Sequence, residues 1–259
     1  MKRSLIGFLT GFIFLAGCTS SSYDVLQSAA QRAPKFQDQK PHHFDGNTPH
    51  GFEVHGTDVS KWNGSIDWAS VKRADIQFAF VKATEGTDRL DSSFHENWRN
   101  AKAQGIAVAP YHFYYFCSSA EAQAQWFISN VPKSAVQMPP VLDAEWNDAS
   151  PTCKVRPSPA TVVSELGIFL KRIEAHYGKK PIIYTSVDFH ADNLVGKFND
   201  YPFWLRSTAA HPSVRYPGRK WLFWQYTGTG IIPGINGIAD INVFAGTRKS
   251  WRQWLSKQQ

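Results

Sequence analysis

Cysteine is scarce in this chain: of 259 residues only Cys18, Cys117 and Cys153 carry a thiol. No cysteine or histidine grouping has the spacing of a structural zinc module, and no metal is expected. His42, His43 and His50 crowd one stretch, but no acidic or cysteine cluster stands with them, and a solvated segment is the simpler reading. Lysine and arginine are scattered and form no arm of the kind that grips nucleic acid, so no such partner is expected. No Gly-rich fingerprint follows the first strand-like run, which removes the usual dinucleotide cradle, and no cofactor is implied. Long apolar runs are also missing, apart from LIGFLTGFIFLAGC at 5–18, which is too short for a comfortable transmembrane helix. The chain shows neither internal repeats nor a second domain.

That single run is informative. Lys2 and Arg3 precede it, the layout of a bacterial secretion signal. Its end, Leu15-Ala16-Gly17-Cys18, resembles a bacterial lipobox, which implies cleavage before Cys18 and lipid on that residue. The alternative is an ordinary signal peptide that happens to hold a cysteine. Residues 1–17 would be a leader, and losing Lys2 and Arg3 would lower the net charge from +7 to +5. Thr19 follows the cysteine where an Asp would favour inner-membrane retention, so the expected address is the outer membrane, facing the periplasm. Residues 18–50 are polar and irregular and read as a flexible tether to a domain over 51–259. In an oxidising compartment Cys117 and Cys153 are expected to pair. The alternative is two free thiols, because a bridge also needs Cα atoms within about 7 Å.

What remains is globular and aromatic. The excess of 28 basic over 21 acidic residues gives weak long-range attraction for an anionic wall or membrane. Ten tryptophans serve either a well-filled core or platforms for sugar rings. From Phe52 onward, strand-like runs alternate with helix-like ones. VHGTDVS leads to IDWASVKRA, where Asp67 is placed to cap a helix. QFAFVKATEG precedes the helical DSSFHENWRNAKAQG, which Gly105 stops. IAVAPYHFYYF precedes SSAEAQAQWFISN, capped near Ser118 or Ser119, and PPVLDAEW precedes the long amphipathic SPATVVSELGIFLKRIEAHYG. After KKPIIYTS the rhythm degrades: PFWLRS, KWLFWQYT and GIADINVF read as strands with little helix between them. Eight β segments, the first five separated by helices, predict a closed α/β barrel with an irregular last third.

In such barrels the chemistry lies at the C-terminal ends of the strands. In PPVLDAEW, Asp143 and Glu145 are two residues apart and share a strand face, about 6–7 Å from one another. They are either an acid pair with one raised pKa or two solvated charges at a strand end. Asp58 ends the first strand, Glu85 falls near the end of the second, and Asp240 ends the eighth, which closure sets beside the first. Tyr111, Tyr184 and the Trp224-Gln225-Tyr226 run fall on the same rim. Clustered carboxylates among aromatics, without metal ligands, suit glycoside hydrolysis, in which one acid protonates the leaving oxygen and a carboxylate supports the sugar cation.

These stretches match a known family. GTDVSKWNGSIDW, FVKATEG, APYHFY, PVLDAEW, IIYTS, FWQYTGTG and GINGIADINVF resemble, in order, the motifs of glycoside hydrolase family 25 over about residues 54–245. The resemblance implies a single irregular, flattened (β/α)5(β)3 TIM-like barrel. It also implies cleavage of the N-acetylmuramyl–N-acetylglucosamine β-1,4 bond of peptidoglycan. It assigns the proton donor to Glu145, makes Asp143 its partner, and adds Asp58 and Asp240 to the acidic rim. Tyr111, Tyr184, Trp224 and Gln225 match the sugar-binding wall, while Glu85, with Lys82, is either a direct contact or a structural ion pair under the rim. His112 lies inside an apolar strand and is expected to be a core histidine. Thr57 and Ala239 replace the Ile and Val frequent in the family, conservative changes beside the acids. Cys117 and Cys153 fall after adjacent strands, which favours their pairing. The expected partner is the peptidoglycan glycan strand, with the membrane reached through lipid on Cys18 and the domain acting as a monomer. The competing functions are a catalytically silent glycan-binding lipoprotein and a hydrolase of another N-acetylated glycan such as chitin.

Overall fold

The computed structural model describes residues 35–46 and 48–258. The leader over 1–17 and the lipidation residue Cys18 lie outside the described residues. The strands are β1 (Gln37–Asp38), β2 (His55–Val59), β3 (Ile76–Glu85), β4 (Arg89–Leu90) and β5 (Ala107–Phe113). They continue with β6 (Val141–Ala144), β7 (Ile182–Thr185), β8 (Phe203–Arg206), β9 (Phe223–Ile231) and β10 (Ala239–Phe244). The helices that cover them are α1 (Trp68–Arg73), α2 (Phe94–Ala103), α3 (Ala120–Asn130) and α4 (Pro159–Tyr177), and α5 (Arg248–Ser256) follows the last strand.

Local chemistry sets these boundaries. Asp67 accepts from the amides of Ala69 and Ser70 at the start of α1, and Ser119 and Ser158 cap α3 and α4 in the same way. Gly105 takes a φ of 69° just past α2, a left-handed turn that a side chain disfavours.

β2, β3, β5, β6, β7, β8 and β9 are parallel neighbours in that order. β10 lies antiparallel between β9 and β2 and closes the ring. The expected barrel is therefore present, with one difference. Asp240 stands near the start of β10, not at its end, and reaches the rim because that strand runs backwards, opposite Asp58. The link over 232–238 is too short for a crossover, which needs about a dozen residues, so the last two strands form an antiparallel pair.

Alternation along each strand sorts the core into two layers. Phe78, Phe80, Val141, Ile182, Trp204 and Phe223 fill the barrel interior. Ala79, Val81, Leu142, Ile183, Leu205 and Trp224 point outward into the layer under the helices. Gly56 is required inside, because a Cβ there would stand 2.3 Å from the Phe78 ring. α5 plugs the far end, where Trp251 packs against Phe78, Phe223 and Phe244.

The reading of 18–50 as tether needs correction over its second half. β1 pairs with Gly230 and Ile231 of β9. Phe36 is buried against His55, and Phe44 packs edge-on against Trp224 at 5.2 Å. The helix-poor last third leaves the outer faces of β9 and β10 bare, and this strap, described over residues 36–46 and 48–52, covers them. Its few aromatic anchors stand among polar residues, so composition alone hides them.

Candidate active site

Each strand of the barrel carries its inward parity one stride past the apolar interior, and there the side chains change character. Asp58, Lys82, Tyr111, Asp143, Glu145, Tyr184, Trp204, Arg206, Gln225 and Asp240 converge on one cleft of about 400 Å³, with Ser60, Trp62 and Phe113 at its edges. That volume suits a small ligand or a few sugar units.

Asp58 is the most constrained acid. Its Oδ2 accepts from Gln225 Nε2 at 2.9 Å and from Asn242 Nδ2 at 2.7 Å. Each of those amides is itself held, Gln225 Oε1 by the Tyr184 hydroxyl at 2.9 Å and Asn242 Oδ1 by the Trp204 indole at 2.7 Å. Four side chains thus fix the orientation of one carboxylate. Burial still pushes Asp58 up to about 6, while these donors and a bond from Asp240 pull it back. Asp240 shares that bond, and burial and the Asp58 charge raise it to about 8. At neutral pH Asp240 is therefore the protonated member and Asp58 the ionised one.

Asp143 and Glu145 form the second pair. Burial first, then the charge on Glu145, holds Asp143 well above the carboxylate range. Its buried Oδ1 has no hydrogen-bond partner among the described residues. Burial raises Glu145 to about 7, with Arg206 opposing and Asp188 and Asp58 reinforcing the shift. A carboxylic acid that keeps its proton near neutrality and opens on a cleft is equipped to donate it.

The family model for glycosyl hydrolases family 25 matches residues 57–235. The chain belongs to that family. It is 39% identical over 207 residues to the uncharacterized protein YegX of Escherichia coli K12, covering 77% of this chain and 72% of that one. It is 36% identical over 203 residues to lysozyme M1 of Streptomyces globisporus, covering 75% and 68%. Among solved structures, a family 25 glycosyl hydrolase from Bacillus anthracis superposes with a TM-score of 0.71 at 34% identity, covering 83% of this chain and 99% of that one. The protein is thus a glycoside hydrolase, and its barrel is the family 25 barrel.

Within the family 25 cleft, most residues singled out from the sequence come together, and two do not. Trp224 is fully buried on the outer face of β9, between Phe44, Phe52, Trp221 and His211, and its indole donates to Ser207 O at 2.7 Å. It cannot share the cleft with Gln225, since adjacent strand residues face opposite ways. Trp204 supplies the tryptophan, stacked on Phe80 at 3.9 Å. Glu85 is the second exception. Lys82 Nζ binds its Oε2 at 2.6 Å and the Tyr115 hydroxyl binds its other oxygen, so it is the ion pair under the rim. Lys82 itself reaches the cleft.

Trp204, Arg206 and Trp62 were not among the predicted site residues, whereas for Lys82 the sequence leaves open a direct contact or an ion pair, and it makes both. PFWLRS did hold the signal: Trp204 and Arg206 are two apart at a strand end, as Asp143 and Glu145 are. His112 is a core histidine, held by Thr84 at 2.7 Å and Gln123 at 3.1 Å. Burial lowers it to about 4 and keeps it neutral. Cys117 and Cys153 are disulfide-bonded, with Cα atoms 5.9 Å apart, and tie together the loops that leave β5 and β6.

Proposed function

We propose that this family 25 protein is a peptidoglycan hydrolase of the lysozyme type, cutting the N-acetylmuramyl–N-acetylglucosamine β-1,4 bond with Glu145 as proton donor. The observation that carries the assignment is Glu145 in the cleft, raised by burial to about 7, beside an Asp143 that burial also pushes upward. As the bond from the muramyl C1 to the bridging oxygen lengthens, the Glu145 proton passes to that oxygen and the electron pair leaves with it. Positive charge builds on C1 and the ring oxygen, facing the fixed carboxylate of Asp58. Asp143 turns its unpartnered Oδ1 to the 2-acetamido group and holds it in place. Tyr111 and the exposed indole of Trp62 offer the faces that seat the pyranose rings, while Tyr184 and Trp204 pack beneath them and hold the amides under Asp58.

Asp58 must be ionised and Glu145 protonated, so kcat/KM should peak between about pH 6 and 7 and fall on either side. The deciding experiment is mass spectrometry of muropeptides released from purified sacculi. Muramyl reducing ends from the unaltered protein, and none from Glu145→Gln with glycan binding retained, support the reading. Undiminished lysis by that variant overturns it. A product-anomer measurement on a defined muropeptide then separates direct inversion from a two-step route through a side chain or the acetamide.

The same proposal extends to the envelope: Cys18 carries lipid, and the domain works as a monomer from the outer membrane on the periplasmic wall. The mass of the mature N-terminus in membrane fractions tests the anchor, and an unlipidated soluble product counts against it. Light scattering on the purified domain tests the monomer.

A further inference from the structure

The strap does more than cover the outer wall of the barrel. Gln39 N donates to Thr229 O at 2.8 Å, Thr229 Oγ1 donates to Asp38 Oδ1 at 2.6 Å, and Lys40 N donates to the same oxygen at 3.0 Å. These bonds lay Lys40 and His42 along one side of a cavity of about 420 Å³. Arg206, Thr208, Thr227 and Thr229 line the other side. The groove adjoins the cleft at two points. Arg206 lines both, and Gly228 in the groove wall lies so near the rim that a Cβ there would stand 3.1 Å from Asp240 Oδ1. In charge the two differ: the cleft holds Asp58, Asp143, Glu145 and Asp240, whereas Lys40, His42 and Arg206 line the groove and the neighbouring Asp38 carboxylate is taken up by Thr229 Oγ1 and the Lys40 amide. Arg206 forms no salt bridge among the described residues.

We propose that this groove binds the carboxylates of the peptide stem borne by the muramyl residue, so that the strap favours strands that still carry their stems. The inference rests on the muramidase reading above. A muramyl unit projects its lactyl ether sideways from the glycan axis, and the stem attached there carries free carboxylates and a row of amides. Arg206 offers a planar fork to a carboxylate, Lys40 a mobile ammonium, and the Thr208 hydroxyl pairs with an amide. Lys40 and His42 precede residue 57, where the family match begins. Selection for the stem is thus built partly from sequence outside the matched segment.

Two substrates and two variants test the proposal. The substrates are intact sacculi and the same sacculi treated with an amidase, which leaves bare glycan with free lactyl carboxylates. Lys40→Glu should raise KM on intact sacculi about three- to tenfold and leave KM on bare glycan within about twofold, with kcat unchanged on both. The difference should shrink in high salt. Thr208→Glu puts a negative charge into the groove from the barrel side and should discriminate in the same sense, even if Lys40→Glu loosens the strap. If KM rises equally on both substrates for both variants, the groove reads the glycan or its lactyl carboxylate, not the stem, and the proposal fails. It fails too if neither variant changes KM on intact sacculi. Absence of turnover of either substrate by the unaltered protein would overturn the muramidase reading, and this inference with it.

Discussion

The floor and the rim of the barrel are made by the same strands, and two residues separate them. On β8 the inward positions are Trp204 and then Arg206; on β9 they are Phe223 and then Gln225; on β6 they are Val141 and then Asp143, with Glu145 just past the strand's end. One stride along a strand replaces aromatic packing by titratable chemistry, without changing direction or face. The floor explains the rim. Packed rings such as Phe80 on Trp204 at 3.9 Å exclude water beneath the acids, and burial is the first cause of every upward shift among them. The Trp204 indole joins the two levels directly, since its face packs the floor while its N–H holds Asn242 under Asp58.

Substitutions on each level should separate accordingly. The largest effect belongs to the rim: Glu145→Gln should cut kcat on sacculi about 10²–10⁴-fold, with an unfolding midpoint no lower than that of the unaltered protein. On the floor, Phe80→Ala should cost about 3–5 kcal/mol in urea unfolding, while activity per folded molecule falls far less than with Glu145→Gln. Equal loss of activity in both variants would erase the distinction between levels.

Asp240→Asn sits between these cases. Asp240 has a folded pKa of about 8, well above the usual Asp value near 4. The folded state therefore holds its proton where the unfolded chain has lost it, and stability from this group declines as pH rises from about 4 to 8. Asparagine removes the titration. The variant should gain on the order of 1–3 kcal/mol relative to the unaltered protein between pH 5 and pH 8, read from unfolding curves at both values. A gain independent of pH would show that Asp240 keeps an ordinary pKa. The smallest effect concerns the wall behind the strand: Trp224→Phe should leave KM within about twofold, because its indole lies outside the cleft, whereas Trp204→Phe should raise it.

The β/α rhythm was legible up to β7, because β2, β3, β5 and β6 are each followed by a helix and Asp67, Ser119 and Ser158 cap three of those four. Asp58, Asp143, Glu145 and Asp240 were legible too, since acids at strand ends are conspicuous against apolar runs. Less legible was what depends on direction and pairing. The reversal of β10 follows from a link too short to cross over, a length that could be counted but not weighed by composition. Trp224 was misplaced because a motif was carried over as a block, and alternation allows only one of Trp224 and Gln225 to face the cleft. Arg206 was overlooked because a lone arginine after an apolar strand looks like any solvated end. The strap stayed hidden because its role depends on a surface that only the finished barrel exposes.

The raised pKa values of the rim acids have a consequence for encounter. A mouth with four acids would look strongly repulsive to a polymer that bears carboxylates of its own. With Asp240 raised to about 8, Glu145 to about 7 and Asp143 also pushed upward by burial, those acids carry well under four negative charges at pH 7, and Arg206 lines the same cleft. An approaching anionic strand then meets an entrance far less negative than its four acids suggest, on a basic molecule whose long-range field draws it in.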